Sequence, residues 1–204
     1  MSLAFRNSPT SLITTCNNAY NQGAFLVAAT GNEGLDIGYP AKYESVMAVG
    51  AIKPTLKGCD WSNVGPELEL VGPGVDVIST LPNNKYEKKS GTSYASTYVA
   101  GVAALIMSSA VDSDFDDNEN KNWENHEIRQ YLMHIAFDLK RWYERDIFTS
   151  HGLVQAIKGP KNREINNNPI TNLINNIINI FPIFKQLEKS LFYKLYLSNC
   201  LEGG

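Results

Sequence analysis

The sequence predicts an α/β fold, a parallel sheet flanked by helices, on three observations. An unbroken apolar run of strand length, AFLVAA at 24–29, ends in the loop Thr30-Gly31-Asn32-Glu33-Gly34, the pattern of a strand buried on both faces. Short strand-like runs separated by Gly and Pro follow at 45–52, 67–71 and 75–80. An Ala-rich segment at 92–110 then carries apolar residues on nearly every side, as a helix packed into a domain centre does.

The remaining elements follow from spacing. Leu12, Ile13, Cys16 and Ala19 share one side of a helix at 10–22, which Gly23 ends. The acidic, Asn-rich stretch at 112–122 reads as a solvated loop, and Ile128, Tyr131, Leu132 and Ile135 mark one face of a further helix. Composition changes after Gly159. Ile170, Leu173, Ile174, Ile177, Ile178 and Phe181 recur at helical spacing, and beyond Pro182 the residues Phe184, Leu187, Leu191 and Leu195 form a second stripe. Two parts are expected: a globular part at 1–157 and an appended helical tail at 158–204.

Composition narrows the function classes. A chain of 204 residues, 43% apolar and 19% charged, suits one globular domain with a short appendage. Its net charge of -3 offers no basic surface for nucleic acid. Cys16, Cys59 and Cys200 are odd in number and far apart, so they give no disulfide framework and no paired metal spacing. No apolar run approaches the ~20 residues of a membrane span, and no amino-terminal stretch reads as a secretory signal.

The strongest chemical signal is Gly91-Thr92-Ser93-Tyr94-Ala95-Ser96 leading into the small-residue segment. A serine in the first turn of a helix sits among N–H groups that the helix cannot satisfy, where developing negative charge is favoured. From the residues alone, a serine and an asparagine so placed are more often a helix cap and a turn residue tolerant of left-handed geometry than catalytic groups.

Together these blocks resemble the subtilisin family of serine proteases. Gly91-Thr92-Ser93 resembles its nucleophile motif, and Ala28-Ala29-Thr30-Gly31-Asn32-Glu33-Gly34 its oxyanion-hole loop. Gly38-Tyr39-Pro40-Ala41-Lys42-Tyr43, Ser62-Asn63-Val64-Gly65-Pro66, Pro73-Gly74-Val75 and Ser79-Thr80-Leu81-Pro82 match in order, and His151-Gly152-Leu153-Val154-Gln155-Ala156 resembles the domain ending.

The resemblance implies peptide-bond hydrolysis through an acyl-enzyme on Ser93, with Asn32 donating to the oxyanion. It implies a peptide or protein substrate pairing with the edge segment Ser2-Leu3-Ala4. Ala29, Thr30, Gly31 and Gly38 would line the pocket, Glu33 its rim, and Gly91 and Thr92 the approach to the nucleophile. No organic cofactor is required. A weak site for calcium or a monovalent cation is implied at the carbonyls of Ala41, Tyr43 and Val46 with Glu67 and Glu69, along with a cis peptide before Pro40. The family also implies an extracellular or cell-surface setting.

The family's Asp and His motifs precede the matched region, and these 204 residues contain neither. His126, His134 and His151 all follow Ser93 and lack the base's context. The expectation is a carboxy-terminal part of a catalytic domain, inactive alone. Tyr94, Thr97 and Tyr98 replace the family's Met and Pro-His, and Ala4 a glycine, so a catalytically inactive binding module is an alternative. A third reading gives the function to the tail, through a partner helix or a membrane surface.

Overall fold

The computed structural model describes residues 1–139 and 150–155. The segment at 158–204, with both expected apolar stripes, lies outside the described residues, as does Ala156. Residues Met1–Val154 form one compact unit.

Three short strands make the parallel sheet: β1 (Val27–Ala29), β2 (Met47–Ile52) and β3 (Leu68–Pro73), in the order β1-β2-β3. Val27 registers with Met47, and Val49 with Leu70. Every residue of β1 and β2 is buried. Such strands read as unbroken apolar runs because both faces are covered. Beyond β3, Val154 N donates to Val71 O at 3.0 Å, and Phe137 N to Leu153 O at 2.8 Å, so the expected domain-ending segment lies along that strand.

Two helices stand at either end of the chain's described part. α1 (Thr10–Asn21) buries Cys16 and leaves Ile13 exposed, so its apolar side faces inward only in part. It ends where Gly23 takes a φ of +88°.

β4 (Val77–Leu81) and β5 (Lys85–Lys89) form an antiparallel hairpin. The second of these carries no apolar alternation, since four of its five residues are exposed and charge-rich. The hairpin is instead closed by Asn83 and Asn84, both at positive φ, which asparagine tolerates.

α2 (Thr92–Met107) packs against all three parallel strands. Gly72 permits that approach, since a Cβ there would lie 2.9 Å from the Ala95 carbonyl oxygen. Ala95, Val99, Val102, Ala103 and Ile106 are buried, but Ala100, Gly101, Ala104, Leu105 and Met107 are exposed. The expectation of a helix covered all round is therefore corrected to one buried face. Alanine and glycine are small enough for either setting, so their even distribution did not distinguish the two faces.

α3 (Asn125–Ile135) buries Ile128, Leu132 and Ile135 of the expected stripe and half-buries Tyr131. Its amino end has a capping box, with Glu127 reaching back to the Glu124 N–H at 2.8 Å.

Candidate active site

The loop after β1 is shaped by one side chain. Asn63, buried, uses its carboxamide oxygen to accept from the N–H groups of Glu33 and Leu35, each at 3.0 Å. Its nitrogen donates to Thr30 O at 3.1 Å and to Glu33 Oε2 at 2.8 Å. Both donor hydrogens and both acceptor positions are thus in use. Gly31, at φ +109°, is needed where the loop passes Asn63: a Cβ there would fall 2.3 Å from Asn63 Nδ2.

That loop delivers Asn32 to the start of α2. Thr92 N donates to Asn32 Oδ1 at 2.8 Å, and the Thr92 hydroxyl donates to the same oxygen at 2.9 Å. The hydroxyl also accepts from the Gly31 N–H at 3.2 Å. Thr92 N–H is one of the first-turn groups that a helix leaves without a partner. No side chain of the preceding residue, Gly91, caps it, so Asn32 does so from another loop. With its oxygen fixed by two donors, the carboxamide must turn its Nδ2 the other way. That nitrogen has no hydrogen-bond partner among the described residues.

Ser93 follows at the second position of α2, half-buried. Its hydroxyl likewise has no hydrogen-bond partner among the described residues, while its carbonyl accepts from Thr97 Oγ1 at 2.8 Å and Ser2 Oγ at 3.2 Å. Asn32 and Ser93 are therefore brought to one place, the amino end of α2.

The expected substrate-edge segment runs beside this point. The Met1 ammonium bonds to Val27 O, Ala29 N donates to Met1 O at 3.0 Å, and Phe5 exchanges backbone bonds with Tyr39 at 2.7 and 2.8 Å. Ser2 and Leu3 are exposed between those anchors. Ala29 and Thr30 are buried at the end of β1, Gly38 N donates to Thr30 O at 2.9 Å, and Thr30 Oγ1 is buried without a partner among the described residues. Glu33 is exposed, although its Oε2 accepts from the Asn32 N–H at 3.0 Å. The peptide before Pro40 is cis.

The three histidines lie elsewhere. His126 Nε2 is 3.2 Å from Asp117 Oδ2, the His134 ring packs on Phe115 at 5.3 Å, and His151 Nδ1 is 3.2 Å from Glu69 O. Among the described residues, no histidine or carboxylate bonds to the Ser93 hydroxyl.

The expected cation ligands Ala41, Tyr43, Val46, Glu67 and Glu69 do line one cavity, of about 420 Å³. Tyr43 O already accepts the Val46 N–H at 2.9 Å. Glu67 pairs loosely with Lys42 at 3.7 Å, and its Oε2 is buried without a partner among the described residues, which suits a cation. Glu69 is different. Arg129 meets it with two parallel bonds, Nε to Oε2 at 2.5 Å and Nη2 to Oε1 at 2.6 Å, so its charge is already answered. Neither Arg129 nor Asn63 could be assigned from spacing, since each acts on residues far away in sequence. Asn63 had one signal, its place in the Ser62-Asn63-Val64-Gly65 block.

Comparison with known proteins points to one family. The model of the Subtilase family matches residues 1–171. Subtilisin DY of Bacillus licheniformis is 49% identical over 113 residues, covering 53% of this chain and 41% of that protein. Subtilisin NAT of Bacillus subtilis subsp. natto is 39% identical over 141 residues, covering 67% of this chain and 34% of that protein. The solved structure of the prenylagaramide maturation protease PagA superposes with a TM-score of 0.63 at 26% identity, covering 74% of this chain and 54% of that one. The chain thus spans less than half the length of these two curated relatives.

Proposed function

This chain belongs to the subtilase family, and on that premise we propose that it forms the nucleophile and oxyanion side of a serine-type endopeptidase. One observation supports this reading above the others: Thr92 holds the Asn32 carboxamide by its oxygen, which leaves Nδ2 without a hydrogen-bond partner among the described residues, at the helix start that carries Ser93. In the proposed reaction, Ser93 Oγ bonds to the substrate carbonyl carbon as its proton passes to a base. The carbonyl oxygen becomes an anion that accepts from Asn32 Nδ2 and the Ser93 N–H. The carbon–nitrogen bond then breaks, the amine takes the proton, and water releases the acyl group from Ser93.

The placement of the three histidines supports a base drawn from polypeptide outside these 204 residues, together with the acid that orients it. In this reading 1–157 is the carboxy-terminal part of the catalytic domain, inactive alone, and 158–204 is a separate tail. The substrate is a peptide that pairs with Ser2 and Leu3 and places a side chain against Ala29, Thr30, Gly31 and Gly38, with Glu33 at the rim and Gly91 and Thr92 at the scissile bond. Calcium or a monovalent cation would be held by Glu67 with the carbonyls of Ala41, Tyr43 and Val46, as a structural ion, and Glu69 would join only by releasing Arg129. The family's habit favours an extracellular setting. No helix among the described residues is long and apolar enough to cross a membrane.

A fluorophosphonate probe tests the proposal on the 204-residue chain and on the protein extended to a complete catalytic domain. Labelling of Ser93 in the extended protein is expected, with none after Ser93→Ala. Asn32→Ala should lower turnover by about a hundred- to a thousand-fold, the size known for the corresponding donor of a subtilisin. A folded, extended protein whose Ser93 stays unlabelled is instead an inactive binding module, the reading that Tyr94, Thr97 and Tyr98 would then favour.

A further inference from the structure

We infer that residues 116–127 form a calcium site of the twelve-residue loop type, separate from every residue assigned above to catalysis. The sequence runs Asp116-Asp117-Asn118-Glu119-Asn120-Lys121, then five residues, then Glu127. Calcium loops place carboxylate or carboxamide oxygens at positions 1, 3 and 5, a backbone carbonyl at 7, a further ligand at 9 and a glutamate at 12. Asp116, Asn118, Asn120, Asn122, Glu124 and Glu127 occupy those positions in order. One position departs from the pattern, Lys121 where glycine is usual at 6. Its φ of +60° is the left-handed conformation that glycine serves there.

The fold of the loop follows the same plan. Asp116 Oδ2 accepts from Lys121 N at 3.1 Å, Asn118 Oδ1 from Asn120 N at 3.0 Å, and Asn120 Oδ1 from Asn122 N at 2.7 Å. α3 begins at Asn125, the tenth position, and so carries Glu127 back under the loop. Glu127 Oε1 accepts from the Asp117 N–H at 3.1 Å.

A well-ordered polar loop would show these bonds with or without an ion. Two further observations point to a ligand. Asp116 Oδ1 is buried and has no partner among the described residues, although the bond of its sister oxygen to Lys121 turns the carboxylate into the loop. Glu127 is 0% exposed, and among the described residues it is met by backbone N–H groups and no cation. Asp117, His126 and Glu127 bring ligand atoms within 4.8 Å of one another, a set that shares only Glu127 with the loop ligands. A buried carboxylate without a positive partner is costly, and five carboxylates fall within this loop. A divalent cation removes both penalties. An oxygen-rich donor set selects a hard ion of flexible coordination, hence calcium rather than zinc.

Terbium luminescence on the full chain tests the site, because Trp123 lies within the loop and can sensitise the ion. One terbium per chain is expected, displaced by calcium. Asp116→Ala and Asn120→Ala should each weaken binding at least about tenfold while far-ultraviolet circular dichroism stays native. Calcium should raise the Tm of the wild-type chain by more than that of Asp116→Ala. The inference fails if no sensitised emission appears at millimolar terbium, or if the signal survives both loop variants. A signal lost in Glu67→Ala but kept in Asp116→Ala would place the ion in the Glu67 cavity and overturn it. Zinc binding that needs His126 and resists calcium would overturn it equally.

Discussion

Glu69 and Glu127 are both carboxylates drawn out of water around α3, yet the chain answers them in different ways. Glu69, 12% exposed at the side chain, faces a guanidinium that meets both of its oxygens and bonds the Glu44 carbonyl as well. Burial works against the Arg129 charge, but its bond to Glu69 and the surrounding negative charge outweigh that and push its pKa up. Glu127, on the same helix and fully buried, receives backbone N–H donors instead. A carboxylate with an internal cation is complete within the chain. One with neutral donors keeps its negative charge and remains open to an ion from solution. Cys59, 0% exposed, extends the comparison to an ionisable group whose side chain has no hydrogen-bond partner among the described residues.

The largest expected effect tests the first member. Arg129→Ala strands the Glu69 charge in a site built around a guanidinium and should cost about 3 kcal/mol of unfolding free energy in urea. Exposure of the Arg129 side chain, at 24%, keeps the figure at the lower end for such pairs. Replacing both partners, Glu69→Gln with Arg129→Met, should recover most of the loss. If the single variant loses less than the Glu127 variant described below, the contrast between the two carboxylates is wrong.

Much of this molecule could be read before folding, and what could not has a common cause. β1 and β2 show as apolar runs because burial on two faces leaves no alternation. Gly91-Thr92-Ser93 and Gly31-Asn32 are local signals. The bonds that join them are not, since Thr92 and Asn32 are 60 residues apart, as are Arg129 and Glu69. Nothing in the spacing of either residue names its partner. β5 carries no strand signal in the sequence because its five residues are charged or polar-tipped and four are exposed, so pairing with β4 comes from the turn and the backbone rather than from burial. The loop at 112–122 is irregular and largely exposed, as its composition predicts. Averaged composition marks it as solvated, whereas the position-by-position spacing of Asp116, Asn118, Asn120 and Glu127 is what distinguishes an organised loop from a merely polar one.

The second effect belongs to Cys59. Burial raises its thiol from 9.0 to about 11, with Lys53 opposing and Asp60 adding to the shift. A thiol is neutral when protonated, so between those values the folded chain holds a proton that the unfolded chain has released. Stability therefore falls as pH rises from about 9 to about 11, by up to about 2 kcal/mol. Cys59→Ala should remove that slope, at a roughly constant cost from the lost packing. Chemical denaturation of both proteins at pH 8 and pH 10.5 measures it. Equal slopes in the two would mean that solvent reaches the sulfur and that Cys59 does not belong in the series.

Glu127→Gln carries the smallest expected effect and the sharpest one. Glutamine at the third position of α3 keeps one acceptor for the reciprocal cap, so the helix start is preserved. It loses the second backbone bond, worth about 1 kcal/mol, and it removes a buried charge from a loop crowded with carboxylates, which offsets part of that loss. In chelator-treated protein the net cost should then be about 1 kcal/mol or less, well below that of Arg129→Ala. Calcium should widen the gap, since wild-type protein gains stability by binding the ion and the variant loses a ligand. If the chelated variant is as unstable as the Arg129 variant, neutral N–H donors compensate a buried carboxylate as fully as a guanidinium does, and the charge at Glu127 leaves nothing for an ion to answer.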